Sequence, residues 1–246
     1  MALVQRIKDG IGTFCRKLIW GYRATPEGFL KRIKELGVKV GEGCVFFAPE
    51  SCVIDLQNPK LLSFGSNVRV TNGTVILTHD FSWSVVAGYN GDCIGGVEPV
   101  TIGDNVFIGM HSIILKGTTI GNNVIIGAGS VVHGVVESES VYAGNPARRI
   151  MSLEEFYQRR LSRNECYINS ILDCINTENQ DEVWKYLREY SCQFSDAPHA
   201  LSAQIMKDSG YEEMCIRYRE NNDAPYDLNS FLKITNLQTD DNDFLV

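Results

Sequence analysis

The 246 residues carry 44% hydrophobic side chains and a net charge of −7. That composition describes a globular chain longer than one average domain. No apolar run reaches the roughly 20 residues a bilayer crossing needs, and the acidic balance excludes a basic nucleic-acid footprint. The apolar residues at the N-terminus are interleaved with Lys and Arg rather than preceded by them, which is not the order of a signal peptide. A cytoplasmic protein is expected, with its eight cysteines reduced and none in a C-x-x-C pair. Residues 1–150 carry 14 Lys/Arg and 12 Asp/Glu, whereas 151–246 carry 9 and 18. This shift suggests three segments, 1–37, 38–150 and 151–246.

In the first segment Leu3, Val4, Ile7, Ile11, Phe14 and Leu18 recur at helical spacing, with Arg6, Lys8, Arg16 and Lys17 among them. Such a helix packs on the rest of the chain or on a neighbouring subunit; alternatively, its basic amphipathic character suits weak contact with an anionic membrane surface. A second helix is expected over Pro26 to Leu36.

The central segment has a period of six. Ile102, Ile108, Ile114, Ile120, Ile126 and Val132 stand at six-residue steps and are all β-branched. Four places after each come Val106, Ser112, Thr118, Val124, Ser130 and Val136, all small or β-branched. Glycine follows the leading residue at 103, 109, 121 and 127. A short fixed repeat of this kind signals a β-solenoid, in which the leading residues point inward and stack coil on coil, while Gly and Asn serve the corners. The register runs back through Val40, Phe46, Cys52, Asn58, Phe64, Val70 and Ile76, with Asn58 alone breaking the apolar rule. The 26 residues from Ile76 to Ile102 are eight more than three hexads, so a loop of eight residues is expected between Phe81 and Pro99. With three hexads to a coil, residues 40–137 give roughly five coils.

After Ile150 the period stops. Ser152 and Glu155 form a capping box for a helix starting at Leu153. Further helices are expected over Glu182 to Tyr190 and Ala200 to Arg219, followed by a frayed acidic tail, Asp240 to Asp243. No chemistry is assigned to this segment.

The stretch VTIGDNVFIGMHSIILKGTTIGNNVIIGAGSVV followed by VYAGNPARRI resembles the hexapeptide-repeat acyltransferases, and within them the maltose, galactoside and polysaccharide O-acetyltransferases. The resemblance covers roughly residues 38–150. It implies a mainly β protein, a left-handed parallel β-helix with N-terminal helices and a C-terminal helical extension. It also implies a homotrimer with active sites at the subunit interfaces, acetyl-CoA as acyl donor, a carbohydrate acceptor and no metal. In VILTHDFSW the family's catalytic histidine corresponds to His79. Met110, Ala128, His133, Gly134 and Arg148 correspond to coenzyme-contacting positions, although His133–Gly134 replaces the family's Thr-Lys pair.

A neutral imidazole, with an unperturbed pKa near 6.5, can take the proton of a sugar hydroxyl as it attacks a thioester. No Ser-His or Cys-His pair suggests an acyl-enzyme, so direct transfer is expected. His79 stands fourth in its hexad and should point outward beside the loop. Asp80, Trp83 and Tyr89, on or near that loop, are the acceptor-binding candidates. His111, also fourth in its hexad but on another face, is a weaker candidate, and His199 reads as a surface residue. Three rival readings remain: an N-acetyltransferase acting on an amino sugar, a γ-type carbonic anhydrase, whose close histidine pair is missing here, and a non-catalytic β-helix scaffold.

Overall fold

Strands of two to four residues, separated by tight corners, wind the central segment into a three-sided prism. The computed structural model describes residues 15–194 together with 227, 228, 230 and 231. The first coil comprises β1 (Lys39–Val40), β2 (Val45–Phe46) and β3 (Val53–Ile54). The second comprises β4 (Leu62–Phe64), β5 (Arg69–Val70) and β6 (Val75–Ile76). The third comprises β7 (Val100–Ile102), β8 (Val106–Ile108) and β9 (Ile113–Ile114), and the fourth β10 (Thr119–Ile120), β11 (Val124–Ile126) and β12 (Val131–Val132). A fifth coil begins with β13 (Val135–Val136) and β14 (Ser140–Ala143), and β15 (Arg148–Ser152) then turns back antiparallel on β14. Face A stacks β1-β4-β7-β10-β13, face B stacks β2-β5-β8-β11-β14 with β15 outermost, and face C stacks β3-β6-β9-β12.

The leading residues fill the interior: Phe46, Val70, Ile76, Ile108, Ile114 and Ile126 are fully buried. Where the interior narrows, the buried hydroxyls of Thr74, Ser112 and Ser130 donate to the carbonyls of Thr71, Gly109 and Gly127, each three residues back. The small polar positions of the repeat are therefore satisfied within their own corners, as burial requires.

Four corners depart from a strict period. Ile54, not Cys52, pairs with Ile76. Two extra residues precede β3 and four more, including a 3₁₀ turn at Pro59–Leu61, precede β4. Together they make one hexad, so the six-step count realigns at Phe64 and hides the slip. Cys52 occupies the small position and Asn58 lies in the connection. Later, Val136 pairs with Ile120 and so leads face A of the fifth coil, because the corner at His133–Gly134 is only two residues long. Finally, β6 on face C is followed directly by β7 on face A. Ile76 and Ile102 thus flank a single corner, and the extruded segment is about 20 residues, not eight. It carries its own helix, α2 (Trp83–Asn90), which follows α1 (Pro26–Glu35) in the chain.

The repeat glycines serve close approach between coils. The corners that require positive φ are held by Asn67, Asn105 and Asn123 on one edge and by Gly73, His111 and Gly129 on another, and Asn105 Nδ2 donates to Asn123 Oδ1 at 2.8 Å. On the neighbouring column, a Cβ on Gly65 would lie 2.7 Å from the Gly103 carbonyl carbon, and one on Gly103 would lie 2.8 Å from that of Gly121.

Residues 15–20 are helical and most of their surface is exposed; the rest of the expected N-terminal helix lies outside the described residues. Helix α1 starts with Pro26 at its first turn, and Thr25 Oγ1 accepts from the Gly28 N–H. It places Phe29 and Ile33 in the coil's core, with the Phe29 ring edge-on to Phe46.

The chain divides between Tyr157 and Gln158 into two compact units. The Ser152–Glu155 capping box opens α3 (Leu153–Leu161). The second unit contains α4 (Asn164–Leu172), α5 (Gln180–Tyr186) and a 3₁₀ segment, Arg188–Gln193, where one continuous helix to Tyr190 was expected. It has its own core of Ile168, Leu172, Val183, Trp184, Leu187 and Phe194, joined by Leu228 and Phe231. The expected helix over Ala200 to Arg219, His199 and the acidic tail lie outside the described residues.

The glycine column yields a test. Gly103→Ala should destabilise the coil by about 1–3 kcal/mol, the usual range for overpacking, because the new methyl group meets backbone that cannot move aside. Chemical denaturation of the two proteins measures this.

Candidate functional site

His79 is three residues past Ile76, at the edge where face C turns into face A. Its backbone forms an antiparallel bridge with Val97, so the two ends of the extruded segment meet beside it. The imidazole lies outside the core, with 18% of its side chain exposed. Its Nδ1 is 2.6 Å from Asp55 Oδ2, a residue 24 positions earlier, on the same edge one coil below.

Asp55 is nearly sealed from solvent, its side chain 3% exposed, and every contact it makes comes from a donor. Gln57 N–H reaches Oδ1 at 3.0 Å, Thr78 N–H reaches Oδ2 at 3.0 Å, and the Thr78 hydroxyl donates to Oδ2 as well. Burial alone would raise its pKa. The hydrogen bonds from Thr78, His79 and the backbone outweigh burial and hold it below the ordinary carboxylate value. An ionised carboxylate can only accept, so the His79 contact puts a proton on Nδ1 and leaves Nε2 of the neutral ring with a free lone pair. Sequence reasoning missed Asp55. Once Ile54 is taken as the leading residue, a lone carboxylate beside it on the histidine's own edge is the signal.

Asp80 has different partners. Lys116 Nζ lies 2.7 Å from Oδ2, and Oδ1 accepts from Ser82 N–H at 2.9 Å and from the Ser82 hydroxyl. The contacts from Lys116, then Ser82, hold Asp80 far below the usual carboxylate range. Trp83 opens α2 and is half-buried, whereas Tyr89 on the same helix is 89% exposed. Phe81, not singled out in the sequence, stands nearer: its ring is 5.8 Å from that of His79 and 6.0 Å from that of Trp83.

The other candidates fall into two groups. His133 and Gly134 lie on the same face C to face A edge as His79, two coils further along. Met110 and Ala128 lie on the edge between faces B and C in successive coils. Both are exposed, and the Met110 carbonyl accepts from Gly129 N–H at 2.7 Å. Arg148 follows the next turn of that edge, opposite Ala143 at the start of β15, and its side chain is exposed. His111 is also on the B–C edge, at φ 57°, with its ring packed over Gly73. A single chain therefore unites His79, Asp55, Asp80, Phe81 and Trp83, but holds Met110, Ala128 and Arg148 on a separate edge. Among the described residues no group of three His, Cys, Asp or Glu side chains could hold a metal ion, and no helix is long and apolar enough to cross a membrane.

Several known proteins are similar to this chain. The family described as "Bacterial transferase hexapeptide (six repeats)" matches residues 99–134, the third and fourth coils. Protein CapG of Staphylococcus aureus is 39% identical over 141 residues, which is 57% of this chain and 80% of that protein. The putative acetyltransferase YvoF of Bacillus subtilis is 33% identical over 105 residues, 43% of this chain and 56% of that protein. Among solved structures, a maltose O-acetyltransferase from Clostridium difficile 630 is similar at 27% identity, covering 56% of this chain and 84% of that one, with a TM-score of 0.37. With its coil of parallel strands and its likeness to four-fifths of Protein CapG, the chain belongs to the hexapeptide-repeat family of acetyltransferases, the left-handed β-helix transferases.

Proposed function

We propose that the protein is a cytoplasmic acetyl-CoA-dependent O-acetyltransferase that acts on a sugar or glycan hydroxyl, with His79 as general base. The observation that carries this reading is the Asp55–His79 contact at 2.6 Å. It orients the ring and directs Nε2 away from the carboxylate. In the reaction Nε2 takes the proton of the acceptor hydroxyl while that oxygen bonds to the thioester carbonyl carbon. The tetrahedral intermediate then breaks its C–S bond, and the imidazolium returns the proton to the departing thiolate. Ionised Asp55 stabilises the imidazolium between these steps, as a buried carboxylate does for a catalytic histidine. The aromatic pair of exposed Phe81 and half-buried Trp83 supports an acceptor with an apolar face, such as a pyranose ring.

The donor would lie along Met110, Ala128 and Arg148, with His133 and Gly134 near its other side. Because Met110, Ala128 and Arg148 occupy a different edge from His79, the reading calls for a homotrimer in which one protomer presents the base and its neighbour holds the donor.

Acetyl transfer from acetyl-CoA to a panel of hydroxyl and amino sugars tests the reading. His79→Ala should lower kcat/KM for hydroxyl acceptors by on the order of 10²–10⁴-fold. Retained activity, or transfer to amines alone, would count against the proposal. Asp55→Asn should cost a similar factor, and adding it to His79→Ala should cost little more, since the two act as a unit.

Asp55 also supplies a pH test. Its folded-state pKa lies below the unfolded value near 3.9, so the carboxylate stabilises the fold above that pH and the contribution fades as pH falls through the folded value. The melting temperature of Asp55→Asn should therefore lie below that of the wild type at pH 7, and the gap should shrink toward pH 3.

A further inference from the structure

Lys116 sits on the face C to face A edge one coil beyond His79, between the two ends of the extruded segment. Its ammonium is 2.7 Å from Asp80, the residue that follows His79. Asp80 in turn accepts from Ser82 at the segment's start, and its own N–H donates to the Gly96 carbonyl at the segment's end, 3.3 Å away. The neck is tied once more by Glu98 N–H donating to the Thr78 carbonyl at 2.9 Å. Lys116 Nζ packs directly against Gly96, where a Cβ would meet it in its present position. The segment's start and one coil side chain thus meet at the Asp80 carboxylate, while the segment's end is tied to the Asp80 backbone N–H. The rest of the segment is loosely held, since α2 contributes no buried residue and Val85, Tyr89 and Ile94 are largely exposed.

We propose that Lys116 is a positioning residue for the acceptor: through Asp80 it clamps the neck of the extruded segment and so fixes Phe81 and Trp83 beside His79. Asp80 then acts as the receiver of the clamp rather than as a ligand of the acceptor. The acceptor part of this proposal rests on the O-acetyltransferase reading; the clamp does not.

Two measurements on the full-length chain test it. In the first, hydrogen exchange is compared between wild type and Lys116→Met. Peptides covering 81–97 should exchange roughly three- to tenfold faster in the variant, the range expected for a partly exposed ion pair within a network, while those covering β7 to β12 stay unchanged. The charge-swapped double variant, Asp80→Lys with Lys116→Asp, should restore part of the protection. In the second, Lys116→Met should raise KM for the acceptor by roughly three- to tenfold and leave KM for acetyl-CoA and kcat within about twofold.

Unchanged exchange over 81–97 overturns the clamp, even if no acceptor is ever found. Faster exchange with an unmoved acceptor KM overturns the positioning role. A wild-type protein that transfers nothing while its clamp behaves as expected removes the O-acetyltransferase reading and the acceptor role with it, and leaves the clamp standing.

Discussion

Hydrogen-bonded strands stand about 4.8 Å apart, and in this chain every corner must stack on the corner below at that pitch. The constraint selects residues that no single coil would need. Glycines 65, 103 and 121 line one column because a methyl group would strike the next coil's backbone. Asparagines at 67, 105 and 123 hold the left-handed corner, and Asn105 hydrogen-bonds its counterpart one coil on. The buried hydroxyls on the narrow positions close onto their own corner carbonyls, so these polar groups are paired where they are buried. The fold follows from identical short segments meeting their copies rather than from any one strong local preference.

Much of this was legible in the sequence because the six consecutive leading residues from Ile102 to Val132 repeat without interruption. The first coil was less legible. Its two irregular corners add up to one hexad, so counting by sixes passes through Cys52 and Asn58 and rejoins the true register at Phe64. The long segment after Ile76 was underestimated for a related reason: arithmetic on 26 residues cannot tell one corner with a large excursion from three hexads with a small one. Strand pairing decides, since β6 and β7 lie on adjacent faces.

The candidate site divides along the same line. His79 is visible as a histidine after an aliphatic strand, because its neighbours in the chain carry the pattern. Asp55 and Lys116 are not visible that way. They reach the site by stacking, one coil below and one coil above, and nothing in a linear reading links positions 55, 79 and 116. The two carboxylates beside the histidine also divide their work through environment. Asp55 is enclosed and meets only donors, so its charge is directed at the imidazole ring. Asp80 is nearer in the chain, yet its charge is taken up by Lys116 and Ser82, which leaves the histidine a single acidic partner.

The reversal at the end of the coil has a consequence for solubility. A stack of parallel rungs exposes hydrogen-bonding groups at its last strand and can recruit another copy to lengthen a fibril. On face B, β15 folds back over β14 with a register shift between Val141 and Tyr142, so a newcomer meets a strand of the wrong polarity that opens with two arginines, Arg148 and Arg149. At the opposite end α1 plugs the interior with Phe29 and Ile33. On face B the coil thus ends in a reversed strand, and at the opposite end its interior is plugged by α1.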